Sequence, residues 1–416
     1  MLYHAYELQR SWLNSASAMA SIGAEMLTNP ANPLGYGGIA PLAANALEVF
    51  AHATAPYGKP AFGIEEVEID GRTWSVIEAT VLNKPFGDLK RFRLDGIEES
   101  DHAPRPKILI VAPMSGHFAT LLRGTVRRML QSFEVYITDW VDAKTVPLHE
   151  GQFDLDDYID YLIEFLEYIE DQNSGTRPHM MAVCQPSVPA FAATALLNQR
   201  KSPAAPATLT MMGGPIDTRE SPTSVNDHAM QRPIQWFRNT VIATVPSQYR
   251  GAGRRVYPGF MQLSAFMSMN LQSHMMSHFE MFKHLTEGDD ASAQATKDFY
   301  DEYRSVCDMT AEFYLQTVEE VFQTHSIPNG TFEHKGEIVD ITQITDTALL
   351  AIEGERDDIS GLGQTKAALK LTPNLPDAKK RYYMAEGAGH YGIFNGSRWR
   401  DKIAPVVEEF VAAHSD

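Results

Sequence analysis

The residues of this chain best suited to chemistry are a cysteine, two adjacent aspartates and a histidine set among glycines. Cys184 closes the apolar run HMMAV that starts at His179, and Gln185-Pro186 follows it where a helical pattern begins. Asp357 and Asp358 come just after the apolar run that starts at Thr347, and His390 lies in Gly387-Ala388-Gly389-His390-Tyr391-Gly392. A thiol attacks as its thiolate, so it needs a base within hydrogen-bond reach, and the base needs a third group to hold its tautomer. Cysteine, histidine and carboxylate fill those roles, and the chemistry they support is attack on an acyl carbonyl to give a thioester. Each has a plainer reading: a core thiol, a solvated loop acid, a turn histidine. Elementary chemistry does not separate Asp357 from Asp358.

The elements that must position these groups favour the chemical reading. Lys107 to Met114 is a buried strand, followed by a helical stretch through Leu130 and a second strand from Phe133. Asp154 then caps LDDYIDYLIEFLEYI, HMMAV is a strand, SVPAFAATALLNQ a helix, and TLTMM a strand. Strands alternating with helices of this length predict a mostly parallel sheet covered by helices. At a strand-to-helix turn a nucleophile is strained and exposed at the carboxyl end of the sheet. The positive helix end favours a thiolate, and its free N–H groups can hold an oxyanion. Pro186 is tolerated there because the first turn needs no N–H. The backbone N–H groups of Gln185 and, after the first parallel strand, Met114 are the expected oxyanion donors. Nucleophile, acid after a late strand and histidine after the last strand follow the chain order of α/β-hydrolases. The expected fold class is therefore α/β, with an α/β-hydrolase fold and a helical cap insertion.

Four segments follow: 1–60, a helix and a Pro/Gly-rich connector; 61–217, the first part of the core; 218–343, a helical cap without convincing buried strands; and 344–416, the rest of the core. In the first, Leu8, Trp12, Met19, Ile22 and Met26 form one helical stripe. It is expected to dock on its own domain, with adsorption to an apolar surface as the alternative. Asp70-Gly71 between two extended runs is a hairpin turn signal. The prolines at 186 and 189, with Ala182 where a glycine is usual, predict an irregular start to the helix after Cys184.

With 416 residues, 44% of them apolar, the chain can bury a full core. A net charge of −18, from 53 acidic and 35 basic residues, disfavours nucleic acid and anionic membranes as partners. Two cysteines give no disulfide framework and fit a reducing, cytoplasmic setting, and no run approaches the ~20 apolar residues of a bilayer span. No phosphate-binding loop or dinucleotide fingerprint is present, so no cofactor is expected. His274 and His278 stand four apart but lack a third ligand, so no metal is expected either. Cys307 and the run from Met261 to Met281 are expected to pack the insertion.

The blocks MAVCQPSVP at 181–189, DDISG at 357–361 and GAGHYGIFNG at 387–396 resemble those of intracellular poly(3-hydroxybutyrate) depolymerases of granule-forming bacteria. That resemblance runs from the N-terminal YELQRSWL stretch to the last helix. It implies a hydrolase whose Cys184, Asp357 and His390 form a triad, acting on amorphous polyester at the granule surface to release 3-hydroxybutyrate and short oligomers. Related polyester synthases share the order, so acyl transfer with coenzyme A remains an alternative, as does a non-catalytic granule-coating role. Whether the chain forms a homodimer is left open.

Overall fold

A computed structural model of the chain describes residues 2–29, 31, 39–55, 58–97, 105–172, 176–269, 280–286 and 289–415. Nine strands form its main sheet: β1 (Glu66–Ile69), β2 (Arg72–Leu82), β3 (Gly87–Leu94), β4 (Lys107–Val111), β5 (Glu134–Trp140), β6 (His179–Val183), β7 (Thr208–Met212), β8 (Ala348–Gly354) and β9 (Lys380–Ala385). Their spatial order is β1-β2-β3-β5-β4-β6-β7-β8-β9. Pairings from β5 across to β9 are parallel, while β1–β2, β2–β3 and β3–β5 are antiparallel. Leaving β1 aside as an extra edge strand, this is the strand order of the α/β-hydrolase fold.

Local chemistry accounts for these elements. Asp70 and Gly71 both take positive φ, 51° and 76°, which makes the tight turn that a right-twisted hairpin needs. Strands β4 to β8 are buried along their whole length, as expected of parallel strands covered on both faces. Helix α4 (Leu155–Asp171) opens on a capping box between Asp154 and Asp157. It buries Leu155, Ile159, Leu162, Phe165, Leu166 and Ile169, each contributing about 1.5–3 kcal/mol. Helix α5 (Ser187–Gln199) is buried from Ser187 through Leu197.

Sheet register lines up the ends that matter. Val183 pairs with Met212, Met212 with Ile352, and Gly354 with Ala385. The segments after β6, β7, β8 and β9 therefore leave the sheet at one edge, bringing Cys184, Gly213, Asp357 and His390 together.

Three expectations are corrected. The connector before residue 60 contains a helix, α2 (Ala40–Thr54). Pro41 sits in its first turn, where no N–H is needed, and the Ala-rich run behind it has high helix propensity. The segment between β7 and β8 contains helices such as α8 (Gly259–Met269) and α9 (Asp290–Arg304), but also a small antiparallel sheet of Ala243–Thr244, Arg255–Tyr257 and Met309–Thr310. Strands of two or three residues are too short to show an alternating pattern. Finally, α1 (Leu2–Thr28) packs on α2 through its opposite face, so its stripe of large apolar residues points outward. His274, His278, Met275 and Met276 lie outside the described residues.

Candidate active site

Cys184 sits on the turn from β6 into α5 with φ 67°, a left-handed conformation that costs a non-glycine residue about 1–2 kcal/mol. The turn is held from both sides. The Cys184 N–H donates to the Met212 carbonyl at 2.7 Å, and the Cys184 carbonyl accepts the Ser187 N–H at 3.0 Å. Val188 donates to the Gln185 carbonyl at 3.3 Å, so the helix begins with i to i+3 bonds. This is the irregular start expected of Pro186 and Pro189.

His390 follows β9 and is 4% exposed. Its Nδ1 donates to Asp357 Oδ2 at 2.7 Å, and its ring lies close enough to the Cys184 side chain to interact with it electrostatically. Asp357 has one oxygen for the imidazole, while Oδ1 accepts the N–H groups of Ile359 at 2.9 Å and Ser360 at 2.8 Å. Its side chain is 1% exposed, whereas Asp358 faces outward. The acid adjoining His390 is thus Asp357. Burial alone would lower the His390 pKa, but Cys184 and Asp357 raise it well above the ordinary value. The charges around the ring favour its protonated form.

The acid and histidine loops are tied to each other. Arg356 donates its N–H to the Ala388 carbonyl at 2.8 Å, and Gly387 donates to Glu355 Oε2 at 2.6 Å. Glu353, buried at the end of β8, accepts the N–H groups of Gly363 and Lys366 and the Tyr382 hydroxyl. These bonds fix the backbone from which Asp357 projects.

The Gln185 and Met114 N–H groups have no acceptor among the described residues. Both polar atoms of the Gln185 side chain are also buried without a partner. The loop after β4 that carries Met114 is stitched to the segment between β7 and β8: Cys307 donates its N–H to the Gly116 carbonyl at 2.7 Å, and His117 Nε2 lies 3.0 Å from the Tyr303 carbonyl. Burial lowers the His117 pKa to about 4, so the ring is neutral near pH 7. The Cys307 thiol is fully buried and its pKa is pushed up, as suits a packing residue.

Several contributors were not singled out from sequence. Gly213 has φ 59°, and a Cβ there would stand 3.2 Å from both Asp357 Oδ2 and His390 Cε1. Because β7 lies between β6 and β8, only a residue without a side chain lets the pair reach across toward Cys184. A Cβ on Gly214 would overlap Ser187 of α5 at 2.2 Å. The Gly-Gly pair at a strand end was the available signal for both. Tyr303 of α9 and Tyr391 beside His390 bring their rings to 6.0 Å. Burial raises the Tyr391 pKa, with Tyr303 and Cys184 adding to it, which places a neutral phenol near the thiol.

Fold and site together define an α/β-hydrolase. Residues 213–415 match the family described as PHB de-polymerase C-terminus, a stretch that includes Asp357 and His390 and begins after Cys184. The second half of the chain is thus similar to that family's C-terminal region, and the fold and this similarity together support ester hydrolysis as the general chemistry. No curated protein sequence matches the chain. Among solved structures, an esterase from Thermogutta terrifontis aligns at 12% identity over 82% of this chain and 100% of its own, with a TM-score of 0.44. A monoacylglycerol lipase from Paleococcus ferrophilus gives 12% over 75% and 97%, TM-score 0.42. The 2-hydroxy-6-oxo-6-phenylhexa-2,4-dienoate hydrolase of Rhodococcus sp. strain RHA1 gives 12% over 82% and 100%, TM-score 0.45. Among the described residues, no helix is long and apolar enough to cross a membrane and no cluster of side chains could hold a metal ion.

Proposed function

We propose that the protein hydrolyses amorphous poly(3-hydroxybutyrate) inside the cell through an acyl-enzyme on Cys184. The observation that carries this reading is the 2.7 Å hydrogen bond from His390 Nδ1 to Asp357, at the carboxyl edge of the sheet where the Cys184 turn also emerges and where Cys184 acts electrostatically on the ring. His390 takes the thiol proton, and the thiolate adds to an ester carbonyl. The negative oxygen is held by the N–H groups of Gln185 and Met114, each worth about 3 kcal/mol to the transition state. Collapse breaks the ester C–O bond, and His390 returns its proton to the departing alkoxide. Water, deprotonated by His390, then cleaves the thioester and frees the carboxylic acid and the thiol. Asp357 holds the imidazole in the tautomer that both steps need, and the unpartnered Gln185 carboxamide is free to bind the ester chain.

The family match of residues 213–415 supports the polyester as substrate, and granule association in the cytoplasm follows from that substrate. The test is Cys184→Ala on an amorphous polymer suspension. Release of 3-hydroxybutyrate should fall by about 10³-fold or more. Undiminished release would refute the assignment, and a coenzyme A-dependent product would mean acyl transfer instead of hydrolysis.

A further inference from the structure

We propose that the outer face of the α1–α2 hairpin is the surface that docks the protein on solid, uncharged polyester. This inference rests on the polymer substrate proposed above. Leu8 is 75% exposed, Trp12 70%, Met19 74%, Ile22 54% and Met26 61%. At 3.6 residues per turn they fall within an arc of about 80° on α1. The buried residues Tyr3, Ser17 and Ala20 lie on the opposite side, and Ser17 Oγ donates to the Ala51 carbonyl of α2 at 2.8 Å. On α2 and at its N-cap, Leu42, Phe50 and Ile39 are exposed as well. Eight of the twelve large apolar side chains exposed among the described residues therefore belong to this one hairpin. A patch of that kind on a water-soluble surface marks an interaction site.

Charge and area select the occupant. Glu7, Arg10 and Glu25 of α1 all lie outside the arc, and His4 stands at its edge, so the stripe carries no Asp, Glu, Lys or Arg. Helix α2 contains no Lys or Arg, so the hairpin lacks the basic collar that holds amphipathic helices on anionic lipid, and a chain of net charge −18 is repelled there. A second copy is disfavoured by size. The stripe is about 27 Å long and about 10 Å wide, so both helices together offer about 450 Å² against the ~800 Å² per partner of a stable dimer. A neutral solid imposes no such limit on shape and presents no charge to pair. The hairpin is also bolted to the segment between β7 and β8. Tyr3 donates to Asp308 at 2.7 Å, Tyr6 stacks on Phe260 at 3.8 Å between ring centroids, and Lys297 pairs with Glu48. Adsorption through the stripe would hold the body of the enzyme against the polymer.

The test compares wild type with a variant carrying Leu8→Ser, Trp12→Ser, Met19→Ser, Ile22→Ser and Met26→Ser. Readouts are co-sedimentation with amorphous poly(3-hydroxybutyrate) particles, co-sedimentation with phosphatidylglycerol vesicles, mass by light scattering, and turnover of soluble p-nitrophenyl butyrate. The expected result is at least about tenfold weaker polymer binding and polymer hydrolysis, with soluble turnover within twofold of wild type. If the fivefold variant loses soluble turnover, the pair Trp12→Ser and Met19→Ser carries the same test. Unchanged polymer binding would overturn the proposal, as would a wild-type dimer that the variant splits, or tighter wild-type binding to vesicles than to polymer. Wild-type binding to polymer without any hydrolysis would instead refute the proposed function and leave the docking surface standing.

Discussion

Replacing Asp357 by Asn should disable the enzyme while replacing Asp358 by Asn should not. The Asp357 oxygen that accepts the Ile359 and Ser360 N–H groups can be supplied equally by an Asn carbonyl, so the loop survives. The other oxygen faces His390 Nδ1 at 2.7 Å, and an Asn places an N–H₂ donor there. The imidazole must then carry its proton on the other nitrogen, the one needed to receive the thiol proton. With both side chains 4% exposed or less, water cannot substitute for the missing acceptor. Loss of the correct tautomer typically costs about 10³–10⁴ in kcat, or about 4–5.5 kcal/mol of transition-state stabilisation. Asp358→Asn, on an exposed side chain, should change kcat by less than about threefold. The assay is kcat and KM for p-nitrophenyl butyrate, with a melting curve to confirm folding. Because the Asp357 charge helps to hold the His390 pKa high, its removal should also move the acid limb of the rate profile, where the imidazole must be free to take a proton, to lower pH. Equal losses in the two variants, or less than a tenfold loss for Asp357→Asn, would refute the reasoning.

Other outcomes follow from the same geometry. Gly213→Ala forces a left-handed φ on alanine and sets a methyl 2.8 Å from Ile393 Cδ1 and 3.2 Å from the Asp357–His390 pair. It should cost about 1–2 kcal/mol of stability and lower kcat with little change in KM, and wild-type kinetics would contradict the close approach. His117 has its pKa lowered to about 4, so its stabilising contribution is complete above about pH 6.5 and is lost as pH falls toward 4, where only the unfolded chain binds the proton. His117→Gln should flatten the acid side of the stability profile by up to about 3 kcal/mol in urea titrations at a series of pH values, and an unchanged slope would count against it.

The parts of the fold legible in the sequence are those with a local cause. Asp70-Gly71 marked the β1–β2 hairpin, Asp154 the start of α4, and continuous apolar runs the central strands. The order of Cys184, Asp357 and His390 was readable because each stands just beyond a recognisable strand. The choice between the adjacent aspartates was not, since it depends on which side chain the loop turns inward. Helix α2 was hidden by the prolines and glycines around it, although Pro41 is a natural first-turn residue. The stripe on α1 was visible as a pattern, but periodicity defines a face and not its direction, and the inner contacts through Tyr3, Ser17 and Ala20 are too varied to stand out. Tyr303 and Tyr391 meet only once the chain is folded.

The most direct test of the central claim is to stop the reaction with acid during turnover of a soluble 3-hydroxybutyrate oligomer and map the protein by peptide mass spectrometry. A thioester on Cys184 should be found, with one acyl unit added to the peptide that contains it and none on Cys307. The adduct should vanish in Cys184→Ala and should not accumulate in His390→Ala. An acyl group on another residue, or full turnover in Cys184→Ala, would contradict the account.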